Sequence, residues 1–426
     1  MLDTVSPAHA IWFIAAAATS GVVLRPFRLP EAVWALAGAG ALVLLGLMPW
    51  ADALAAAAEG TDVYLFLAGM MLAAELARRE GLFDWIAVHA VAAARGSKRR
   101  LFVLVYLVGV AVTALLSNDA TAVVLTPAVY AATRAAKAEP LPYLLVCAFV
   151  ANAASFVLPI SNPANLVIFG AAMPRLADWL ALFWLPSLAA VAITFAVLYA
   201  TQRKALCGTL EPVGAPVPLS RGGRLAAGGL VLTAAAILGA SALGQPLGWP
   251  TALAGLASSL AVLALKRESP GPLLRGVAWG VLPLVAGLFV LVEAVGRTGV
   301  LAELSGRLQA LAATSPAEAS WWAGGLVAVA CNLVNNLPAG LLAGSAVQAA
   351  HVPPQVAAAV VIGVDLGPNL SITGSLATIL WLVALRREGE TMGAWSFLKL
   401  GLMVMPPALA AALAALVHVP LPGLTP

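Results

Sequence analysis

Long runs of apolar residues recur along the whole chain, and the charged residues lie mainly between these runs. A helix needs roughly 20 mainly apolar residues to cross a bilayer. Continuous runs of this length differ from the alternating strands of a membrane barrel. Only 10% of the 426 residues are charged, against about 25% in soluble proteins. The sequence therefore predicts an all-α polytopic protein in a lipid bilayer, and it excludes a soluble enzyme, a disordered chain and a nucleic-acid-binding protein.

The apolar runs predict about ten transmembrane helices plus two re-entrant hairpins. Each predicted hairpin, at 101–134 and 319–350, contains two apolar runs of about 15 residues, which as helix reach only about 23 Å. Two other spans are interrupted by polar residues, Gly and Pro, and are predicted to be broken helices, 141–170 and 354–384. The remaining predicted spans are 9–24, 31–50, 61–78, 180–200, 225–243, 250–265, 277–296 and 396–418.

The two parts of the chain repeat each other at a constant offset. The related pairs are Gly69 and Gly287, Glu75 and Glu293, Arg79 and Arg297, and Asn118 and Asn336. Each part holds five predicted spans and one hairpin, and because five is odd the second copy is expected to insert upside down, as in the inverted repeats of secondary transporters. The predicted domains are an N-terminal repeat, a cytoplasmic linker and a C-terminal repeat, at 1–204, 205–224 and 225–426.

The basic residues predict the orientation of these spans. If the N-terminus is outside, all of the 23 Lys and Arg residues except Arg175, Arg297 and Arg307 fall on the cytoplasmic side. Cytoplasmic loops carry such an excess, so we expect a multi-pass protein of the cell inner (plasma) membrane with both termini on the periplasmic or extracellular side. No basic residue precedes the first apolar run, which therefore predicts a retained span rather than a signal peptide.

Polar side chains at bilayer depth are costly and usually functional. The hairpin tips and the broken spans bring amides and hydroxyls to that depth, including Asn152, Asn165 and Asn332. The predicted substrate-binding residues are Ser117, Asn118, Thr121, Ser161, Asn162, Asn335, Asn336, Asn369, Thr373 and Ser375.

Two acids, Asp119 and Asp365, lie among these polar residues, one in each half. They are predicted to bind and release protons during transport, and the alternative is that each accepts backbone N–H groups at a helix end. No Lys or Arg falls in the set, although dicarboxylates and phosphates are usually held by such cations. The pattern therefore predicts a pocket for a neutral polyhydroxylated solute or a cation.

Enzyme motifs are missing from the sequence. It contains no P-loop, no HExxH and no metal-ligand spacing, so it predicts a secondary transporter with no cofactor, no metal site and no ATPase of its own. Cys147 and Cys331 are interpreted as packing residues, with thiolate binding of a metalloid as the alternative. Glu75 and Glu293 are interpreted as acids paired with basic neighbours near an interface. A passive channel and a membrane enzyme are the alternatives from other classes.

Three stretches resemble the ArsB family of arsenite and antimonite efflux proteins, which belongs to the ion transporter superfamily. They are SNDATAVVLTP at 117–127, NNLPAGLL at 335–342 and VIGVDLGPNLSITGSLATILWL at 361–382. The resemblance implies export of arsenite or antimonite, as neutral trihydroxides, in exchange for protons. It also implies optional association with a cytoplasmic ArsA-type ATPase.

By position, the resemblance matches Asn118 and Asp119 to the first tip of the ArsB family, Asn335 and Asn336 to its second tip, and Asp365 to its DLGP motif. The first broken span departs from the family pattern, because SNPAN at 161–165 is similar to a Gly-Thr-Pro-Pro-Asn type motif of the symporter relatives. The alternative function is therefore a sodium/proton antiporter or an anion/sodium symporter of the same superfamily.

Overall fold

A computed structural model describes residues 6–211 and 218–418, and the regular structure of these residues is helical. The helices that precede the 212–217 gap are α1 Pro7–Leu24, α2 Glu31–Leu44, α3 Trp50–Glu59, α4 Thr61–Arg79, α5 Leu82–Ala93, α6 Lys98–Leu115, α7 Asn118–Ala120, α8 Thr126–Ala135, α9 Leu141–Ala153, α10 Pro163–Phe169 and α11 Leu176–Gln202. Those that follow it are α12 Arg221–Ala242, α13 Gly248–Lys266, α14 Gly271–Gly276, α15 Val281–Val295, α16 Leu301–Thr314, α17 Pro316–Val334, α18 Asn336–Ala350, α19 Pro354–Leu366, α20 Leu376–Arg387 and α21 Ala394–His418.

The predicted all-helical membrane architecture is confirmed, whereas the count of ten spans is not reached by length and composition alone. Within the described residues, six helical segments are long and apolar enough to cross a membrane. A seventh is added if α3 and α4, which are bent by 48°, form one span. The shortfall has a physical reason, because α2 is only 14 residues long and the two broken spans are divided into short helices.

The hairpin segments contain longer first arms than the apolar runs predicted. Helix α6 has 18 residues and α17 has 19, which corresponds to about 27–28 Å of helix. Each first arm is therefore three or four residues longer than the apolar run, because the helix already begins at Lys98 or at Pro316, before the predicted segment. The re-entrant hairpins themselves stay a prediction.

Both predicted broken spans are interrupted in the structure. The break between α9 and α10 contains a 3₁₀ turn, Pro159–Ser161, and the break between α19 and α20 contains another, Gly367–Leu370. Side chains restart the second helix of each span: Asn162 accepts the amide N–H of Ala164, and Ser375 accepts that of Thr378. Such N-caps satisfy backbone donors that would otherwise be left without a partner at a helix start.

Helices from the two parts of the chain pack directly on each other. Helix α4 packs on α13, and α15 packs on α2. Glycine allows the first contact, since a Cβ on Gly69 would collide with the backbone of Thr251, and a Cβ on Gly255 would collide with the backbone of Gly69. In addition, Asp62 accepts the N–H of Gly248 at 2.8 Å and so caps the start of α13. Close packing of small residues is a common way to associate helices in membranes.

We expect Gly69→Val to destabilise the protein by about 1–3 kcal/mol, the usual cost of forcing extra atoms into a packed contact. The matched control is Gly228→Val in α12, because a Cβ on Gly228 meets no atom within 4 Å and the change in helix propensity is the same. The measurement is the melting temperature of the full-length protein in detergent. Equal melting temperatures for the two variants would contradict the close α4–α13 contact.

Candidate functional site

The two predicted hairpin tips, the turns at Ser117 and Asn335, and the start of α10 line one narrow cavity. Its polar residues are Asn118, Asp119, Asn162 and Asn336. Its apolar residues are Val63, Leu67, Pro163, Val281, Val285, Leu337, Leu376 and Ala377. The volume of about 20 Å³ is enough for about one water molecule. Residues from both parts of the chain therefore line one small cavity that carries four polar side chains.

The first tip joins α6 to α7 through Ser117. The hydroxyl of Ser117 accepts the N–H of Ala120 at 3.2 Å and caps α7, which presents Asn118 and Asp119. A π-helical segment, Thr121–Leu125, follows immediately, and the hydroxyl of Thr121 lies 2.8 Å from that of Thr113 on the other arm. Segments of π-helix inside α-helices occur frequently at functional sites.

Hydrogen bonds to the break between α19 and α20 hold the second tip. Asn335 has a positive φ of 74°, and its side-chain amide donates to the carbonyl of Thr373 at 3.1 Å. The backbone N–H of Asn336 donates to the carbonyl of Gly374 at 2.9 Å. The hydroxyl of Thr373 in turn donates to the carbonyl of Asn332 at 3.1 Å. These bonds fix the turn that directs Asn336 into the cavity.

Asp365 and Asn162 form a direct contact between the two parts of the chain. The side-chain amide of Asn162 donates to the carboxylate of Asp365 at 2.7 Å, and Asp365 is completely buried. The carbonyl oxygen of the Asn162 side chain accepts the N–H of Ala164, so both ends of this amide are engaged. Asn162 therefore lies between the cavity and the buried acid.

Asn152 is the centre of a second buried network between the two broken spans. Its amide donates to the side-chain oxygen of Asn369 and to the hydroxyl of Thr378, both at 3.1 Å. Its side-chain oxygen accepts the hydroxyl of Ser375 at 3.1 Å, and Asn369 also donates to the carbonyl of Phe149 at 3.0 Å. All four side chains are buried. The network therefore joins α9 to the break that precedes α20 and to α20 itself.

Three buried acceptor atoms in this region lack a hydrogen-bond donor among the described residues. They are Oδ1 of Asn165, Oδ1 of Asn336 and Oδ2 of Asp365. A buried polar atom without a partner costs about 1–3 kcal/mol. Of the three residues, Asn336 lines the cavity and Asp365 lies one hydrogen bond behind it, through Asn162, so a hydroxyl group, a cation or a proton from outside the protein could supply the missing donor at Asn336.

The predicted site residues fall into two groups. Asn118, Asp119, Asn162 and Asn336 line the cavity. The others form hydrogen bonds that shape the tips and the breaks, namely Ser117, Thr121, Asn335, Asn369, Thr373 and Ser375, together with Ser161, whose hydroxyl donates to the carbonyl of Ala114. Asp365 contacts the cavity residue Asn162 rather than lining the cavity itself.

Lys and Arg are absent from the described residues that line the tip cavity. Cys147 and Cys331 are buried and do not line it either. The predicted pairing of Glu75 and Glu293 with basic neighbours is confirmed: Glu75 accepts two bonds from Arg78, at 2.7 and 2.6 Å, and Glu293 accepts one from Arg297 at 2.8 Å. Within 6–211 and 218–418, His, Cys, Asp and Glu form no cluster that could hold a metal ion.

The sequence profile of the CitMHS family, described as citrate transporter, matches residues 11–365. The chain belongs to the CitMHS transporter family. Among its relatives, the arsenical pump membrane protein of Escherichia coli strain K12 is 30% identical over 352 residues, which cover 79% of this chain and 81% of that protein. The arsenical pump membrane protein of Yersinia enterocolitica is 29% identical over 350 residues, with the same coverage. The predicted resemblance to the ArsB family is thus confirmed.

Two further comparisons extend over nearly the whole chain. An uncharacterized transporter of Mycobacterium tuberculosis H37Rv is 25% identical over 410 residues, which cover 93% of this chain and 94% of that protein. The crystal structure of the YdaH transporter from Alcanivorax borkumensis matches with a TM-score of 0.58 at 15% identity, covering 96% of this chain and 97% of that chain. This likeness shows that the two proteins share a fold.

We expect Asn152→Ala to lower the melting temperature, because it leaves the buried side-chain oxygen of Asn369 without a donor, at about 1–3 kcal/mol, and also removes the bonds from Asn152 to Ser375 and Thr378. The control is Thr233→Ala, a buried residue whose hydroxyl bonds only to the carbonyl of Gly229 in its own helix. Thermal unfolding of both full-length variants provides the measurement. A drop no larger for Asn152→Ala than for the control would show that the network does not join the two broken spans.

Proposed function

We propose that the chain is a secondary transporter that exports arsenite or antimonite, as neutral trihydroxides, in exchange for protons. The observation that carries this proposal is an unpartnered acceptor and a lining without Lys or Arg at the tip cavity. A trihydroxide offers three O–H donors, and Asn336 offers a buried acceptor without a donor at the cavity wall, while Asp365 offers a second one behind Asn162. The curated relatives that are named arsenical pump membrane proteins support the same substrate class.

A carboxylate substrate fits this cavity less well. The description of the family names citrate, which is an anion with several carboxylates at neutral pH. A carboxylate brings acceptors to a site where the side-chain oxygen of Asn336 already lacks a donor, and the Arg or Lys that usually pairs with it is absent from the described lining. We therefore rank an anion/sodium symporter or a sodium/proton antiporter below arsenite export.

In the proposal, residues 1–204 and 225–426 form two inverted repeats, and both repeats contribute residues to the tip cavity. The helices of the first part and those of the second follow in a similar order, and each hairpin tip meets polar residues of both parts at one cavity. In an inverted repeat, the two tips would enter the membrane from opposite sides. The positive-inside rule then sets both termini outside the inner membrane.

Asp119 and Asp365 carry the protons in this proposal. Asp119 lines the cavity, and Asp365 is connected to it through Asn162. Exchange of a neutral solute for a proton moves one charge, so a membrane potential contributes about 2.3 kcal/mol per 100 mV for each proton. An ArsA-type ATPase is an optional cytoplasmic partner of such a pump.

The test is accumulation of radioactive arsenite in everted membrane vesicles that carry the full-length chain. We expect uptake when the vesicle interior is acidified, because outward proton flow then drives arsenite inward. Parallel assays with arsenate, citrate and sodium define the alternatives. Uptake of citrate with sodium, together with no uptake of arsenite, would contradict the proposal.

We expect Asp365→Asn to abolish the proton-driven part of the uptake, because an amide cannot exchange a proton near neutral pH and yet keeps the size of the carboxyl group. Asp119→Asn should have the same effect. The control is Asp178→Asn in the first turn of α11, an exposed acid away from the cavity. Full pH-driven exchange by both site variants would refute the assignment of these acids.

A further inference from the structure

A much larger cavity lies beside the tip cavity. It has a volume of about 680 Å³, against about 20 Å³ for the tip cavity, and Val63 lines both. Its walls come from α4 and α15 on one side and from α10 and α18 on the other. We call it the vestibule. The two cavities therefore adjoin at Val63.

The vestibule is open at the end where Glu293 lies, and the equivalent place in the other part of the chain is closed. The side chain of Glu293 is 40% exposed, whereas that of Glu75 is only 8% exposed. Two hydrogen bonds from Arg78 and the close approach of Gly276 shield the carboxylate of Glu75 from solvent. In this conformation, therefore, the Glu293 end is the more exposed of the two.

The charged residues that line the vestibule are all acidic: Glu59, Asp62 and Glu293. Asp62 is engaged by the backbone N–H groups of Leu247 and Gly248. Two arginines lie at the edge of the vestibule but do not line it. Arg297 pairs with both Glu293 and Asp52, and Arg175 lies beside Gly244.

A second observation also points to polar contents. The hydroxyl of Ser241, a residue only 2% exposed, lines the vestibule and has no hydrogen-bond partner among the described residues. Together with Ser345 and Gln348 on the opposite wall, this hydroxyl gives the cavity polar groups that water or a polar solute can contact.

We propose that the vestibule is the access route to the tip cavity, and that Glu59 and Glu293 make it selective for cations and neutral solutes over anions. The inference rests on the proposed function, because it assumes that the tip cavity is the transport site. A cleft lined by charge of one sign concentrates counter-ions and repels ions of the same sign. In an arsenite exporter, the vestibule would release the neutral product, collect protons, and reject arsenate, phosphate and citrate.

The test uses a reporter cysteine and no transported substrate. Ser345→Cys places a thiol in the vestibule, and Cys207→Ser removes the exposed cysteine of the wild type. In the purified full-length protein, a cationic and an anionic methanethiosulfonate reagent of similar size are compared, and each rate is divided by that for a free thiol in solution. We expect the cationic reagent to be favoured at least about fivefold, since the potential in such clefts reaches several kT.

The paired substitution Glu59→Gln and Glu293→Gln should remove most of this preference. The matched control is Glu303→Gln, because Glu303 forms the same i,i+4 pair with Arg307 as Glu293 forms with Arg297 but does not line the vestibule. A second reporter, Gln245→Cys in the exposed loop before α13, should give the same preference and serves if the Ser345 variant does not fold.

Equal normalised rates for the two reagents at these reporters, or a thiol that neither reagent reaches, would overturn the vestibule proposal. So would an unchanged preference after both acids are replaced. These results are distinct from failure of the proposed function. If arsenite is not transported but the preference is observed, the vestibule stands and the substrate assignment falls; if arsenite is transported and the preference is absent, the reverse holds.

Discussion

The architecture depends on satisfying polar groups at the interrupted helices without help from bulk water. An unpaired backbone or amide group in a hydrocarbon environment costs several kcal/mol. Asparagine side chains provide most of the partners, because one amide both donates and accepts. Asn162 and Asn152 do so between the two parts of the chain, and Asn335 does so between a tip and its own break. The hydrogen bonds that satisfy the polar groups of the interrupted helices thus also position the residues of the site.

This constraint separates the polar residues into those that complete the breaks and those that keep a free acceptor. Side chains that complete the breaks have most of their bonding capacity occupied, as Ser375 and Asn369 show. Those that retain free acceptors, Asn336 and Asp365, remain available to a ligand or a proton. The lining without Lys or Arg then favours a neutral donor over an anion. Membership of the CitMHS family does not choose between these substrates, since its relatives include arsenical pumps.

Much of the fold follows from the sequence because apolar runs and polar interruptions are local signals. The break between α9 and α10 and the break between α19 and α20 were predictable from Pro, Gly and Asn within long apolar segments. The partners were not predictable. Asn152 is recognisable as a polar residue at bilayer depth, but its contacts with Asn369 and Thr378 depend on packing between segments more than 200 residues apart. The lengths of α6 and α17 were also missed, because hydropathy does not detect polar residues that extend a helix.

The central claim is that both tips surround one neutral solute through amide and carboxyl oxygens. A cryo-electron microscopy map of the full-length protein with antimonite tests it most directly, because antimony scatters strongly and marks its own position. The account predicts a single strong peak between Asn118 and Asn336, close to Asp119 and with no sulfur neighbour. A peak bonded to Cys147 or Cys331, or located away from both tips, would contradict it.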